Sequence, residues 1–158
     1  MINHRTPNPQ SILLVEDSED DFESTIRAFK KANLHNPVHW CKSGREALDF
    51  LTHQGEYLNV AKMEDPGLVL LDLNMPGLDG RKTLQLIKQN QELKRIPVVI
   101  LTTSSDERDV EACYQMGANT YVQKPVSFEG LIDAIKRLKE YWFEIALLPK
   151  DGGSRADL

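Results

Sequence analysis

The first residue in this chain with a chemistry of its own is a carboxylate at the end of an apolar run. Val69-Leu70-Leu71 leads into Asp72, and Leu73-Asn74-Met75 leads on to Pro76-Gly77. A continuous apolar run of this kind reads as a buried strand, most naturally a parallel one. Pro76-Gly77 then stops the strand and turns the chain. Asp72 therefore belongs at the carboxyl end of a buried strand, the edge at which open α/β sheets hold their ligands. Three other strand-like stretches end in comparable fashion. Ser11 to Val15 is followed by Glu16-Asp17, Pro97 to Leu101 by Thr102, and Ala118 to Gln123 by Lys124-Pro125.

If those strands are parallel, one edge gathers the carboxylates of Glu16, Asp17 and Asp72, the Thr102 hydroxyl and the Lys124 ammonium. Clustered carboxylates repel one another and require a cation. An all-oxygen set suits Mg²⁺ or Mn²⁺, which accepts one or two carboxylates together with a substrate phosphate. An aspartate beside such an ion can attack phosphorus and become an aspartyl phosphate. Lys124 would neutralise charge on the transferred group, and Thr102 would hydrogen-bond one of its oxygens. Each signal has a plainer reading when taken alone: Asp72 as a turn cap, the acidic pair as a helix cap, Thr102 as a turn residue and Lys124 as part of a loop. Their common placement at strand ends is what carries the argument.

The elements that must position these residues alternate. Ser18 caps a first helix with Glu19, Asp20 and Asp21 in its first turn, where negative charge suits the helix dipole. Phe22, Ile26 and Phe29 give it an apolar face, and Asn33 ends it. Pro37 to Lys42 reads as a second strand. Ser43-Gly44 opens a second helix with Ala47, Leu48 and Leu51 inward. His53 to Pro66 is a longer connection than an α/β unit needs. Asp79-Gly80 opens a third helix carrying Leu84 and Ile87. Asp106 caps a fourth, with Val110, Cys113 and Tyr114 inward, which Gly117 stops. Ser127 caps the last helix, striped by Leu131, Ile135, Leu138, Trp142 and Ile145. Strands and helices alternating five times predict an α/β fold: a five-stranded parallel sheet covered on both faces, with right-handed crossovers.

Length and composition agree. The 158 residues suit one domain, and 41% hydrophobic with 27% charged residues is ordinary for a globular chain. A net charge of −5 gives no support to a nucleic-acid surface. No apolar run approaches a membrane span. The polar segment 1–10 has no apolar signal core and reads as a tail, as does 150–158, leaving 11–149 as the domain. Cys41 and Cys113 lack metal-like spacing and read as buried, reduced thiols of a cytoplasmic protein. His4, His35, His39 and His53 form no ligand set and read as surface or loop residues.

These residues, in this order, resemble the receiver domain of two-component response regulators over roughly Ser11 to Leu148. Glu16-Asp17 looks like the family's acidic pair, with Asp17 as direct metal ligand. Asp72, within Asp72-Leu73-Asn74-Met75-Pro76-Gly77-Leu78-Asp79-Gly80, matches the phosphoacceptor. The resemblance implies a flavodoxin-like (βα)5 three-layer fold. It also implies that the Asn74 backbone carbonyl completes the metal shell, that Thr102 and Tyr121 act as conformational switch residues, and that the peptide before Pro125 is cis. Glu16 stands where the family more commonly has Asp, which bears on the metal contact and the dephosphorylation rate. A narrower resemblance, to single-domain regulators paired with bacterial and cyanobacterial phytochromes, rests on 55–66, on Leu101-Thr102-Thr103-Ser104, and on Tyr141-Trp142-Phe143-Glu144 with Leu147-Leu148-Pro149. It implies a phytochrome-type sensor histidine kinase as phosphodonor.

The resemblance makes the chain a phosphoacceptor that catalyses its own phosphotransfer and autodephosphorylation. With no effector domain expected after the last helix, output would pass through protein contacts, a phosphorelay or a phosphate sink. Tyr141, Phe143, Leu147 and Leu148 lie off the core stripe of that helix. A second apolar face there predicts a contact surface, read as a symmetric homodimer. Three other classes were weighed. A phosphohydrolase of the haloacid dehalogenase type would want Asp-x-Asp after the first strand and a cap domain. A flavin-binding module would want a hydroxyl- and glycine-rich loop where Glu16-Asp17 stands. A structural adaptor that is never phosphorylated would have no use for the acidic pocket.

Overall fold

The computed structural model describes residues 10–59 and 65–145. Leu147, Leu148 and the expected tails, apart from Gln10, lie outside the described residues. The strands are β1 (Ile12–Val15), β2 (Val38–Cys41), β3 (Leu68–Leu71), β4 (Val98–Thr102) and β5 (Thr120–Gln123). Between and after them run α1 (Glu19–Lys31), α2 (Gly44–Thr52), α3 (Gly80–Gln89), α4 (Glu107–Gln115) and α5 (Phe128–Lys139). A single 3₁₀ turn, Gly55–Tyr57, lies between α2 and β3, and a π-helical turn, Glu140–Ile145, extends α5.

All strand pairs are parallel, in the order β2-β1-β3-β4-β5. The period-2 alternation of β side chains sorts the apolar runs into two cores. Leu13, Val15, Val69, Leu71, Val98 and Ile100 face α2, α3 and α4, where Ala47, Phe50, Leu51, Leu84, Ile87 and Cys113 meet them. Ile12, Leu14, Leu68, Leu70 and Val99 face α1 and α5, against Ala28, Phe29, Leu131, Ile135 and Trp142. The sheet is thus the middle of three layers. β1, β3 and β4 are buried on both faces, which is why they read as unbroken apolar runs. The strand order reverses direction at β1/β3, so the carboxyl ends of those two strands flank a topological switch point.

The helix starts follow the capping residues of the sequence. Side-chain oxygens of Ser18, Ser43, Asp79, Asp106 and Ser127 accept backbone N–H groups of α1 to α5 in turn. Asn33, just past α1, takes the left-handed conformation at φ 57°. Gly117 does so after α4 at φ 106°, where a β-carbon would be strained.

Several expectations are corrected. Tyr114 is 49% exposed rather than inward. Its hydroxyl accepts the Tyr121 backbone N–H at 3.1 Å, so the ring covers edge strand β5 and satisfies a donor there. His39 is no loop residue. It lies on β2, stacked on Phe50 at 4.2 Å with Nε2 3.0 Å from the Tyr57 hydroxyl. Among the described residues no peptide bond is cis, so Lys124–Pro125 is trans, the form X–Pro bonds ordinarily prefer. Phe143 packs, half-buried, against the protein's own α1/α5 core. The π-helical turn is the reason: it breaks the 3.6-residue spacing on which the stripe was projected.

Candidate functional site

The site is assembled at the carboxyl edge from β1, β3, β4 and β5. Glu16, Asp17 and Asp72 each bring a carboxylate oxygen to within 4.8 Å of the others. Glu16 and Asp72 are buried and Asp17 is exposed. The backbone fixes this placement: Glu16 N–H donates to the Cys41 carbonyl at 3.0 Å and Asp72 N–H to the Val15 carbonyl at 3.1 Å. Gly80 lets α3 close on the turn after β3, since a β-carbon there would run into the Asp72 carbonyl and Leu73.

Glu16 is bound at both carboxylate oxygens. Oε1 accepts the Ser18 N–H at 3.0 Å and Oε2 lies 3.2 Å from Lys124 Nζ. Asp21 Oδ2 adds a second carboxylate 3.8 Å from Lys124. Burial, and to a lesser degree the neighbouring Asp72, push the Glu16 carboxyl above the usual carboxylate range, while Ser18 and Lys124 pull it down. The net direction is upward and burial is its first cause; the three converging carboxylates face the single ammonium of Lys124. Hard oxygen donors, converging and under-neutralised, fit a divalent cation such as Mg²⁺ or Mn²⁺. Glu16, Asp17 and Asp72 would hold it.

Thr102 is fully buried at the end of β4. Its Oγ1 accepts the Asn74 side-chain amide at 3.4 Å, and Asn74 N–H points to Asp72 Oδ1 at the same distance. Lys124 N–H donates to the Thr102 carbonyl at 2.6 Å, locking the two strand ends together. Tyr121 donates its hydroxyl to the Ser104 carbonyl at 2.9 Å. Glu16, Asp17, Asp72, Asn74, Thr102 and Lys124 lie at this edge or in the loops leaving it, whereas Tyr121 is within β5 and reaches the β4–α4 loop through its hydroxyl. Tyr141 and Phe143 are on the extension of α5, in the α1/α5 layer.

Four contributors were not foreseen. Asp109 accepts two bonds from Arg81, at 3.0 and 2.9 Å, and one from the Ser104 hydroxyl at 2.8 Å. Asp109 is held below the usual carboxylate range by Arg81 first and Ser104 second. Ser104 is thus gripped through its hydroxyl by Asp109 and through its carbonyl by Tyr121. Trp40 Nε1 donates to the Glu16 carbonyl at 2.7 Å. Arg81, Ser104 and Asp109 carry no signal at their own positions, because the partners come together only when α3, α4 and the β4–α4 loop pack. Trp40 was read as strand alone.

The profile of the family described as response regulator receiver domain matches residues 12–136. Response regulator Rcp1 of Synechocystis sp. is 42% identical over 89% of this chain and 94% of its own length. The Mn²⁺-bound form of Rcp1 superposes with a TM-score of 0.79, covering 89% of this chain and 99% of that one. The phosphorylated cyanobacterial phytochrome response regulator RcpA gives a TM-score of 0.81 at 37% identity, over 90% and 99%. The bacteriophytochrome response regulator AtBRR gives 0.71 at 43%, over 91% and 100%. A relative that binds Mn²⁺ in its own structure agrees with the donor set found here. Edge geometry, sheet order and sequence relatives converge, and the chain belongs to the response regulator receiver domain family.

Proposed function

We propose that this protein is a phosphoacceptor: Asp72 takes a phosphoryl group from the phosphohistidine of a sensor histidine kinase. The observation that supports this reading is the convergence of Asp72, Glu16 and Asp17 at one edge, with Lys124 held beside them. In the transfer, an Asp72 carboxylate oxygen bonds to phosphorus as the phosphorus–nitrogen bond to the donor imidazole breaks. The imidazole keeps that electron pair and takes up a proton. A bound Mg²⁺ supplies charge neutralisation to the group in flight. Lys124 is drawn from Glu16 toward the new phosphoryl oxygens, and Thr102 exchanges its Asn74 contact for a hydrogen bond to one of them. Water returns Asp72 to its free form, so catalysis extends to the chain's own phosphotransfer and autodephosphorylation.

RcpA and AtBRR are described as phytochrome response regulators, which favours a phytochrome-type kinase as the donor. The reading places the protein in the cytoplasm, where such kinases present their phosphohistidine. We also propose a homodimer with Tyr141, which is 54% exposed, at its contact. Phe143 would contribute its outer edge, and Leu147 and Leu148 were expected on the same face.

The test is incubation with acetyl phosphate and Mg²⁺ followed by intact mass measurement. Wild type should gain one phosphoryl group, lost on standing, and Asp72→Asn should gain none. No gain in either, with folding intact, would favour the adaptor that is never phosphorylated.

A further inference from the structure

The turn that carries Asp17 is bracketed by one side chain from the edge strand. Trp40 is partnered with Leu14 in the β1–β2 register, and its ring faces α1. It stacks on Phe22, in the first turn of α1, at 3.9 Å and 4° between planes. Its Nε1–H donates to the Glu16 carbonyl at 2.7 Å. Lys42 Nζ lies 4.9 Å from the same ring, adding a cation to the indole. One indole therefore holds the first residue past β1 and the first turn of the helix that follows.

The bond to the Glu16 carbonyl matters because of peptide planarity. The Glu16 carbonyl and the Asp17 N–H and Cα share one rigid plane, so holding the carbonyl oxygen holds that plane and the place of the Asp17 Cα from which its side chain starts. Glu16 has three other restraints: its N–H on Cys41, Oε1 on Ser18 N–H and Oε2 on Lys124. Those hold the Glu16 side chain and the inward side of its backbone. Trp40 alone among the four acts on the peptide that leads to the exposed Asp17.

We propose that Trp40 is a positioning residue of the divalent-cation pocket, orienting the Glu16–Asp17 peptide so that Asp17 points into the site. This rests on the reading of Glu16, Asp17 and Asp72 as the cation's ligands. Groups that orient metal ligands from outside the coordination shell commonly change affinity about tenfold or more when removed.

Calorimetric titration of the full chain with Mg²⁺ and Mn²⁺ tests it, comparing wild type, Trp40→Phe, Asp17→Asn and a protein carrying 3-benzothienylalanine at position 40. The last keeps the shape and stacking of indole but lacks the N–H, so it serves if Trp40→Phe folds poorly. Expected are an about tenfold weaker affinity for both ions in the benzothienyl protein, an unchanged metal-free melting temperature, and faster hydrogen exchange at the Asp17 amide in the metal-free state. Phosphorylation by acetyl phosphate should return to the wild-type rate at saturating Mg²⁺, separating positioning from chemistry. Wild-type affinity in the benzothienyl protein overturns the role of Trp40 while leaving the pocket intact. Wild-type affinity in Asp17→Asn overturns the pocket, and the role of Trp40 with it.

Discussion

Lys124 Nζ lies 3.2 Å from Glu16 Oε2, and both side chains are almost out of solvent, at 11% and 4% exposure. The site's ammonium is therefore committed to Glu16, with Asp21 beside it, before any phosphoryl group arrives. The Glu16 side chain is long enough to bring Oε2 to Lys124 while Oε1 holds the Ser18 amide. Removing one member of a buried pair leaves the other charge uncompensated. Lys124→Met should lower metal-free stability by about 3 kcal/mol, and Mg²⁺ should recover much of that loss because it supplies the missing positive charge. Urea denaturation with and without Mg²⁺ reads both effects. Equal losses in the two conditions would mean that the cation and Lys124 do not share Glu16.

Asp72→Asn removes one of three mutually repelling carboxylates without changing the shape of the site. The metal-free variant should be more stable than wild type by at least about 1 kcal/mol, the water value for like charges about 4 Å apart and a floor for a buried carboxylate. Its melting temperature should then respond far less to Mg²⁺. A thermal shift series against Mg²⁺ concentration checks this, and an undiminished response would place the ion away from Asp72.

Asp109 ties together Arg81 from α3 and Ser104 from the β4–α4 loop, and Ser104 in turn receives the Tyr121 hydroxyl. Because Ser104 is two residues beyond Thr102, any movement of the Thr102 hydroxyl toward a phosphoryl group must carry this bonded loop with it. Asp109→Ala should cost about 1 kcal/mol, as expected for a partly exposed bidentate pair. It should also raise hydrogen exchange selectively over 103–109. Arg81→Lys should behave similarly, since an ammonium cannot reproduce the paired bonds. Unchanged exchange in both variants would show that Tyr121 alone holds the loop.

Much of this site is legible in the sequence because each ligand stands at the end of an apolar run, and a run buried on both faces has only one way to end at a parallel sheet's edge. Glu16, Asp17, Asp72 and Thr102 are of this kind, at the ends of β1, β3 and β4, while Lys124 follows the half-buried edge strand β5. Arg81 and Asp109 are not: they are 28 positions apart on two different helices, and nothing local distinguishes them from solvated charges. Tyr114 misled because i, i+3, i+4 spacing in a short helix does not separate a core ring from one that shields a strand edge. Past Lys139 the stripe holds at Trp142, buried in the α1/α5 core, and misses Phe143, where the backbone has changed from α to π spacing.

His39 gives a pH dependence that has nothing to do with phosphotransfer. Tyr57 donates its hydroxyl proton to Glu46 Oε1 at 3.0 Å, so the 3.0 Å contact with His39 requires His39 Nε2–H as the donor. Further protonation would fall on Nδ1, on a ring stacked against Phe50. Burial lowers the His39 pKa, with Glu46 opposing in part. The native state therefore resists a proton that the unfolded chain accepts, and this contribution to stability is present above the ordinary value of 6.5 and lost as pH falls below it. Urea midpoints at pH 8 and pH 5.5 should differ less in His39→Phe than in wild type, which keeps the stacking but cannot titrate. An identical difference in both proteins would assign the acid sensitivity elsewhere.

Tyr141 and Trp142 are adjacent in sequence and opposite in burial, at 54% and 8% exposure, with their rings edge to face at 5.0 Å. Trp142 belongs to the core shared by α1 and α5, so Trp142→Ala should cost about 3–5 kcal/mol through the cavity it leaves. Truncation after Lys139 would incur the same loss and cannot isolate a dimer contact. Tyr141→Arg can, because an exposed ring contributes little to the monomer's stability and a charge in its place disfavours a two-fold contact, where it would meet its own copy. Sedimentation equilibrium should show wild type self-associating and Tyr141→Arg at least about tenfold weaker, the equivalent of 1.4 kcal/mol, with monomer stability lowered by no more than about 1 kcal/mol, the scale of the lost ring contact with Trp142. Undiminished association in Tyr141→Arg would remove the extended helix from the interface and point to another face of the α/β layer.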